Sequence, residues 1–79
     1  MSNPFKEEKM QRKYLGMMLA EDDYIGMVRE VVWGDYEWIF TVEWYRPDDN
    51  MIEHNLGEDF IIDRGNLFIN KYRASSSVG

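Results

Sequence analysis

Two runs of alternating apolar and polar residues dominate the middle of the chain. Tyr24 to Trp33 and Tyr36 to Tyr45 are rich in β-branched and aromatic residues, with Gly34-Asp35 between them. A period of two is the pattern of half-buried strands, and Gly-X is the loop of a two-residue type II′ hairpin. Pairing Trp33 with Tyr36 sets Val31 against Trp38, Arg29 against Phe40, Met27 against Val42 and Ile25 against Trp44. These residues then share one face, and all but Arg29 are apolar. Arg29 is expected either to stack on Phe40 or Trp38, or to turn outward at a β-bulge. Val28, Glu30, Val32, Glu37, Ile39, Thr41 and Glu43 fall on the opposite face. That mixture predicts half cover by another element, or a solvent-facing face with an apolar patch.

Flanking patterns complete the layout. Residues 3–15 read as a helix: Asn3 is a good N-cap, Pro4 suits the first helical position, and Glu7 and Glu8 favour the positive end of the dipole. Met10, Tyr14, Met17 and Met18 form its apolar stripe, and Gly16 is the expected terminator, with continuation to Ala20 as the competing reading. After the turn residues Arg46-Pro47-Asp48-Asp49-Asn50, Met51 to Leu56 predicts a third strand. Phe60 to Asp63 and Leu67 to Tyr72 predict a second hairpin around Arg64-Gly65, pairing Ile62 with Leu67 and Phe60 with Ile69. The expected fold is therefore mainly β (α+β), an N-terminal helix followed by a five-stranded antiparallel meander. It is one domain over residues 1–79: helix 3–15, β body 22–73, and a fraying tail 74–79.

Composition sharpens this picture. With 79 residues and no cysteine, the chain has neither disulfides nor thiolate zinc to staple a small core. Three Trp, five Tyr and four Phe are expected to supply that stability instead. The net charge of −6 argues against direct binding of DNA or RNA, whose phosphates are held by Lys and Arg. The charge is also uneven. Lys6, Lys9, Arg12 and Lys13 make the N-terminal helix basic, whereas thirteen acidic residues against two basic ones give residues 21–63 a net of −11. The polar start predicts no signal peptide, and no apolar run approaches a bilayer span. A cytoplasmic protein without membrane contact is the expectation.

Candidate chemistry is sparse. His54 is the only histidine and has no nucleophile signature beside it, so an exposed strand histidine is expected. The carboxylate clusters Glu21-Asp22-Asp23, Asp48-Asp49 and Glu58-Asp59 lack the spacing of a calcium loop. No catalytic residue, metal site or cofactor is predicted. Trp33, Tyr36, Trp38, Phe40, Trp44 and Tyr45 have two readings, core or a cage for a cationic group. Trp33 and Tyr36 flank the hairpin tip, where burial is hardest, and with Tyr45 they are the expected exposed members.

Tyr24-Ile25-Gly26-Met27-Val28 followed by Val31, then Phe40-Thr41-Val42-Glu43-Trp44, resembles the opening strands of SH3-like barrels of the Tudor and KOW type. The resemblance covers residues 22–63 and implies a partly open barrel that serves as an interaction module. The leading helix and the acidic body depart from that pattern. In size and charge the chain also resembles small phage-encoded anti-defence proteins that block restriction or CRISPR machinery by nucleic-acid mimicry.

Two functions follow as expectations. In the first, a non-enzymatic inhibitor docks Glu21, Asp22, Asp23, Glu37, Glu43, Asp48, Asp49, Glu58 and Asp59 onto a basic, nucleic-acid-binding surface of a partner protein. In the second, an SH3-like adaptor binds a peptide or assembles a complex through exposed aromatics of the 24–45 hairpin, with Trp33, Tyr36 and Tyr45 as its contacts. The expected state is a monomer or a weak homodimer, the latter pairing through the last strand, Leu67 to Tyr72.

Overall fold

The computed structural model describes residues 4–73. Helix α1 spans Pro4–Tyr14, followed by strands β1 (Met18–Ala20), β2 (Ile25–Trp33), β3 (Trp38–Tyr45) and β4 (Asn50–Leu56). Helix α2 (Glu58–Phe68) follows and runs into a π-helical turn, Ile69–Arg73. The strands form one open antiparallel sheet in the order β1-β2-β3-β4. Asn3 and the tail 74–79 lie outside the described residues.

Gly16 ends α1 as expected, at a φ of +80° that L residues rarely adopt. Its N–H donates to the Val28 carbonyl and Val28 N–H donates back to Met17, so the chain passes from helix straight into pairing with β2. The strand β1 that results was not foreseen. Tyr14 and Met10 turn inward from α1, and Tyr14 meets Phe40 edge-on at 5.0 Å.

The central hairpin forms, with a different register. Its loop has four residues, Gly34 to Glu37, closed by Gly34 N–H to the Glu37 carbonyl, and Trp33 pairs with Trp38 rather than Tyr36. Val31 consequently faces Phe40. This shift by two leaves every β3 side chain on its predicted face, because side chains alternate with a period of two. Phe40, Val42 and Trp44 are buried and Trp38 packs against them. In β2 a bulge between Val28 and Glu30 reverses the parity. Val28 therefore enters the core in place of Met27 and Ile25, and Arg29 turns outward to within 3.6 Å of Glu43.

The second predicted hairpin does not exist; residues 58–68 are helical. Ile61, Gly65 and Phe68 recur at helical spacing, and Glu58 and Asp59 occupy the first turn, where the dipole favours acids. Gly65 is a contact rather than a turn. A Cβ there would lie 2.6 Å from Met17 Cε and 3.8 Å from Leu19 Cδ2, so its bare backbone lets α2 settle against β1. The described residues thus hold four strands rather than five, and residues 67–72 supply no edge for dimerisation.

The core gathers Tyr14, Leu19, Val28, Val31, Phe40, Val42, Trp44 and Ile61 on the sheet face that the helices cover. The solvent-facing alternative holds for the other face, where Val32 and Ile52 are exposed.

Candidate functional site

The meander sorts the predicted site residues to its two ends. Ala20 pairs with Ile25 and Tyr45 with Asn50, so Glu21-Asp22-Asp23 and Asp48-Asp49 sit in turns at one end together with Tyr45. Trp33 pairs with Trp38 and Phe40 with Leu56, which brings the 34–37 loop and the start of α2 together at the other end. Eight residues of strand separate the two ends by roughly 25 Å. Glu43 lies between them on the uncovered face. Eight of the nine carboxylates therefore fall into two clusters, with Glu43 in neither, and they do not form one patch.

At the loop end, Trp33, Tyr36, Glu37, Trp38, Gly57, Glu58 and Asp59 line an open cleft of ≈370 Å³. The rings of Trp33 and Trp38 meet at 5.2 Å and 61°, giving one aromatic wall. Tyr36, 93% exposed, stands on the rim, and Trp33 keeps 37% of its surface open. The Glu37 carboxylate lies 3.9 Å from where a Gly57 Cβ would be, which places it beside the α2 N-terminus. No basic side chain among the described residues lines the cleft.

No protein-family model, curated protein or solved structure matches this chain. The cleft has to be read from its own geometry.

Glu58 is the anchored member of the acidic side. Tyr14, 1% exposed, donates its O–H to Glu58 Oε2 at 2.6 Å, linking α1 to the cleft. Burial, then this hydrogen bond and the Glu58 charge, push the Tyr14 pKa up to about 12 from 10.0. The unfolded chain therefore loses this proton first as pH rises. The stabilisation from Tyr14 is complete below pH 10 and is lost between pH 10 and about 12. Urea unfolding of Tyr14→Phe is expected to lack a decline of ~2 kcal/mol that the parent shows between about pH 9 and pH 11.5. Parallel declines in both proteins would refute the buried pair.

Arg29, Arg46, Arg64 and Lys71 each have a partner within the fold. Arg29 meets Glu43, Arg46 meets Asp49 at 3.9 Å, and Arg64 meets Glu21 at 2.9 Å and also pairs with Asp63. Arg64 also lies over the Phe60 ring at 4.6 Å. Glu21 and the neighbouring acid raise its pKa, although burial opposes them. Lys71 donates to the Glu21 and Asp22 carbonyls, which closes that turn. Among the described residues Glu37 and Asp59 have no ion-pair partner, nor have Asp22, Asp23 and Asp48.

His54 is exposed and within 3.2 Å of Thr41 Oγ1. No group of three or more His, Cys, Asp or Glu side chains is gathered for a metal among the described residues. No helix among them is long and apolar enough to cross a membrane. A second hollow of ≈300 Å³, lined by Met17, Met18, Gly65, Phe68 and Ile69, contains none of the predicted site residues.

Sequence reasoning named Trp33, Tyr36, Glu37, Glu58 and Asp59 but assigned the aromatics and the acids to rival surfaces. Trp38 was a candidate cage aromatic but not one of those expected to be exposed, and the role of Tyr14 had no counterpart in the sequence reading. The available signal was the pair of tryptophans five residues apart across a glycine turn.

Proposed function

We propose that this protein is a non-enzymatic binding module that docks an acidic surface onto a basic, nucleic-acid-binding surface of a partner protein and blocks it. The observation that carries this reading is the loop-end cleft. Glu37, Glu58 and Asp59 gather beside exposed aromatics, and Arg29, Arg46 and Arg64 pair with acids elsewhere. Carboxylates held on a strand loop and a helix start can occupy Lys/Arg positions that otherwise take phosphates, and the net charge speeds encounter. A location in the cytoplasm, where such partners work, and an anti-defence role belong to this same proposal.

The test is competition. A partner captured with the tagged protein is expected to be released by duplex DNA, and its affinity is expected to fall at least roughly tenfold between ~0.05 and ~0.5 M salt. Capture that survives both high salt and excess DNA would refute the blocking role.

A second reading is supported by the exposure of Tyr36 and Trp33. An adaptor related to the SH3-like barrels would bind a peptide through this aromatic wall alone. It separates from the first reading by mutation: Tyr36→Ala would weaken binding while Glu37→Gln and Asp59→Asn leave it intact.

A further inference from the structure

We infer that the loop-end cleft receives an arginine side chain from the partner; this rests on the proposed docking to a basic surface and names its central contact. The protein itself holds one guanidinium in this way. Arg64 lies 4.6 Å over the Phe60 ring and is hydrogen bonded by Glu21 at 2.9 Å, so aromatic face plus carboxylate is the local solution for arginine. The loop end repeats both parts of that arrangement. Trp33 and Trp38 line the cleft with paired indoles, and Glu37 and Glu58 line it with acidic side chains. Tyr14 occupies Oε2 of Glu58, which holds the carboxylate in place and leaves Oε1 to accept.

Arginine is selected over lysine by the openness of the site. A guanidinium is weakly hydrated, planar and forked, so it stacks on an indole while donating to two carboxylates. An ammonium is compact and strongly hydrated, and an open cleft gives it little reason to shed water. The volume of ≈370 Å³ sits near the lower end of ligand pockets, which run from about 300 to 1,000 Å³, and suits one side chain with its water.

The test uses the full chain and three Gly/Ser peptides that differ at one central residue: arginine, lysine or citrulline. Binding is followed by the indole N–H signals of Trp33 and Trp38 in NMR titrations. The arginine peptide is expected to shift both signals and to bind roughly tenfold more tightly than the lysine peptide, with citrulline weaker than either. Trp33→Ala and Glu37→Gln should each weaken it about tenfold. Tyr36→Ala, at a rim position exposed enough to leave folding intact, should weaken it several-fold. Equal binding of lysine and arginine, or of citrulline and arginine, overturns the inference. So does arginine binding that disappears on neutralising Asp22, Asp23, Asp48 and Asp49 but survives the cleft variants; the acidic docking model would then stand without it. If no basic peptide binds at either end, both proposals fall.

Discussion

Replacing Trp44 with alanine is expected to leave the protein largely unfolded at 25 °C. Trp44 is only 1% exposed and is the largest fully buried side chain. Its ring takes Tyr24 edge-on at 5.6 Å and Phe60 at 6.4 Å, and its Nε1–H donates to Glu53 Oε1 at 3.0 Å. These contacts join the β1–β2 turn, β3, β4 and α2 around one side chain. Removing a buried tryptophan side chain costs ~3–5 kcal/mol. A core of this scale supplies only about that much net stability, ~3–5 kcal/mol. The variant also strands Glu53, half-buried, without its donor. Urea unfolding followed by circular dichroism checks this, and a loss below ~1 kcal/mol would show that the core is not organised on Trp44.

Gly26→Ala is expected to destabilise the protein by ~2 kcal/mol, although alanine is ordinarily the better strand residue. Gly26 sits directly beneath Trp44 in the β2–β3 pairing. A Cβ there would lie 2.5 Å from Cε3, 2.9 Å from Cζ3 and 3.0 Å from Cδ2 of the indole. Those atoms belong to a rigid ring fixed by Tyr24, Phe60 and Glu53, so the ring cannot yield as a flexible chain end would. Overpacking of this kind costs ~1–3 kcal/mol. A double-mutant cycle with Trp44→Phe isolates the cause: the smaller ring should relieve part of the alanine penalty, giving clear non-additivity. Additive effects, or a stabilising Gly26→Ala, would refute the close approach.

The two variants probe the part of the fold that was most legible. Trp38, Phe40, Val42 and Trp44 alternate without interruption, and their face survives any register shift by an even number of residues. The true loop of four residues could replace the expected two without moving one of them. In β2 the same rule failed because the bulge at Arg29 adds one residue and exchanges the faces on its far side. The mismatch was visible as a lone charge among apolar neighbours, but its resolution needed the partner strand.

The C-terminal third was misread for a different reason. Phe60-Ile61-Ile62 and Leu67-Phe68-Ile69 are rich in strand-forming residues, and Arg64-Gly65 between them looks like a turn. Propensity lost to packing. As a helix the segment buries Ile61 and sets the bare backbone of Gly65 against Met17, a neighbour 48 positions away in the chain. Likewise Met18–Ala20 is too short to show alternation, and its extended form is set by bonding to β2.

By itself the amino-acid sequence determined the small aromatic core, the basic helix ahead of an acidic body, the helix stop at Gly16 and the burial face of β3. Each depends on neighbours within a few positions or on totals along the chain. Only the tertiary structure decided that Glu58 and Asp59 stand beside Trp33, Tyr36 and Trp38, and that Asp48 and Asp49 lie at the far end. Those pairings depend on the antiparallel return of β4, which lays the start of α2 against the hairpin loop. Residues about twenty positions apart thereby become the two sides of one cleft, a juxtaposition that strand direction sets and local pattern does not encode.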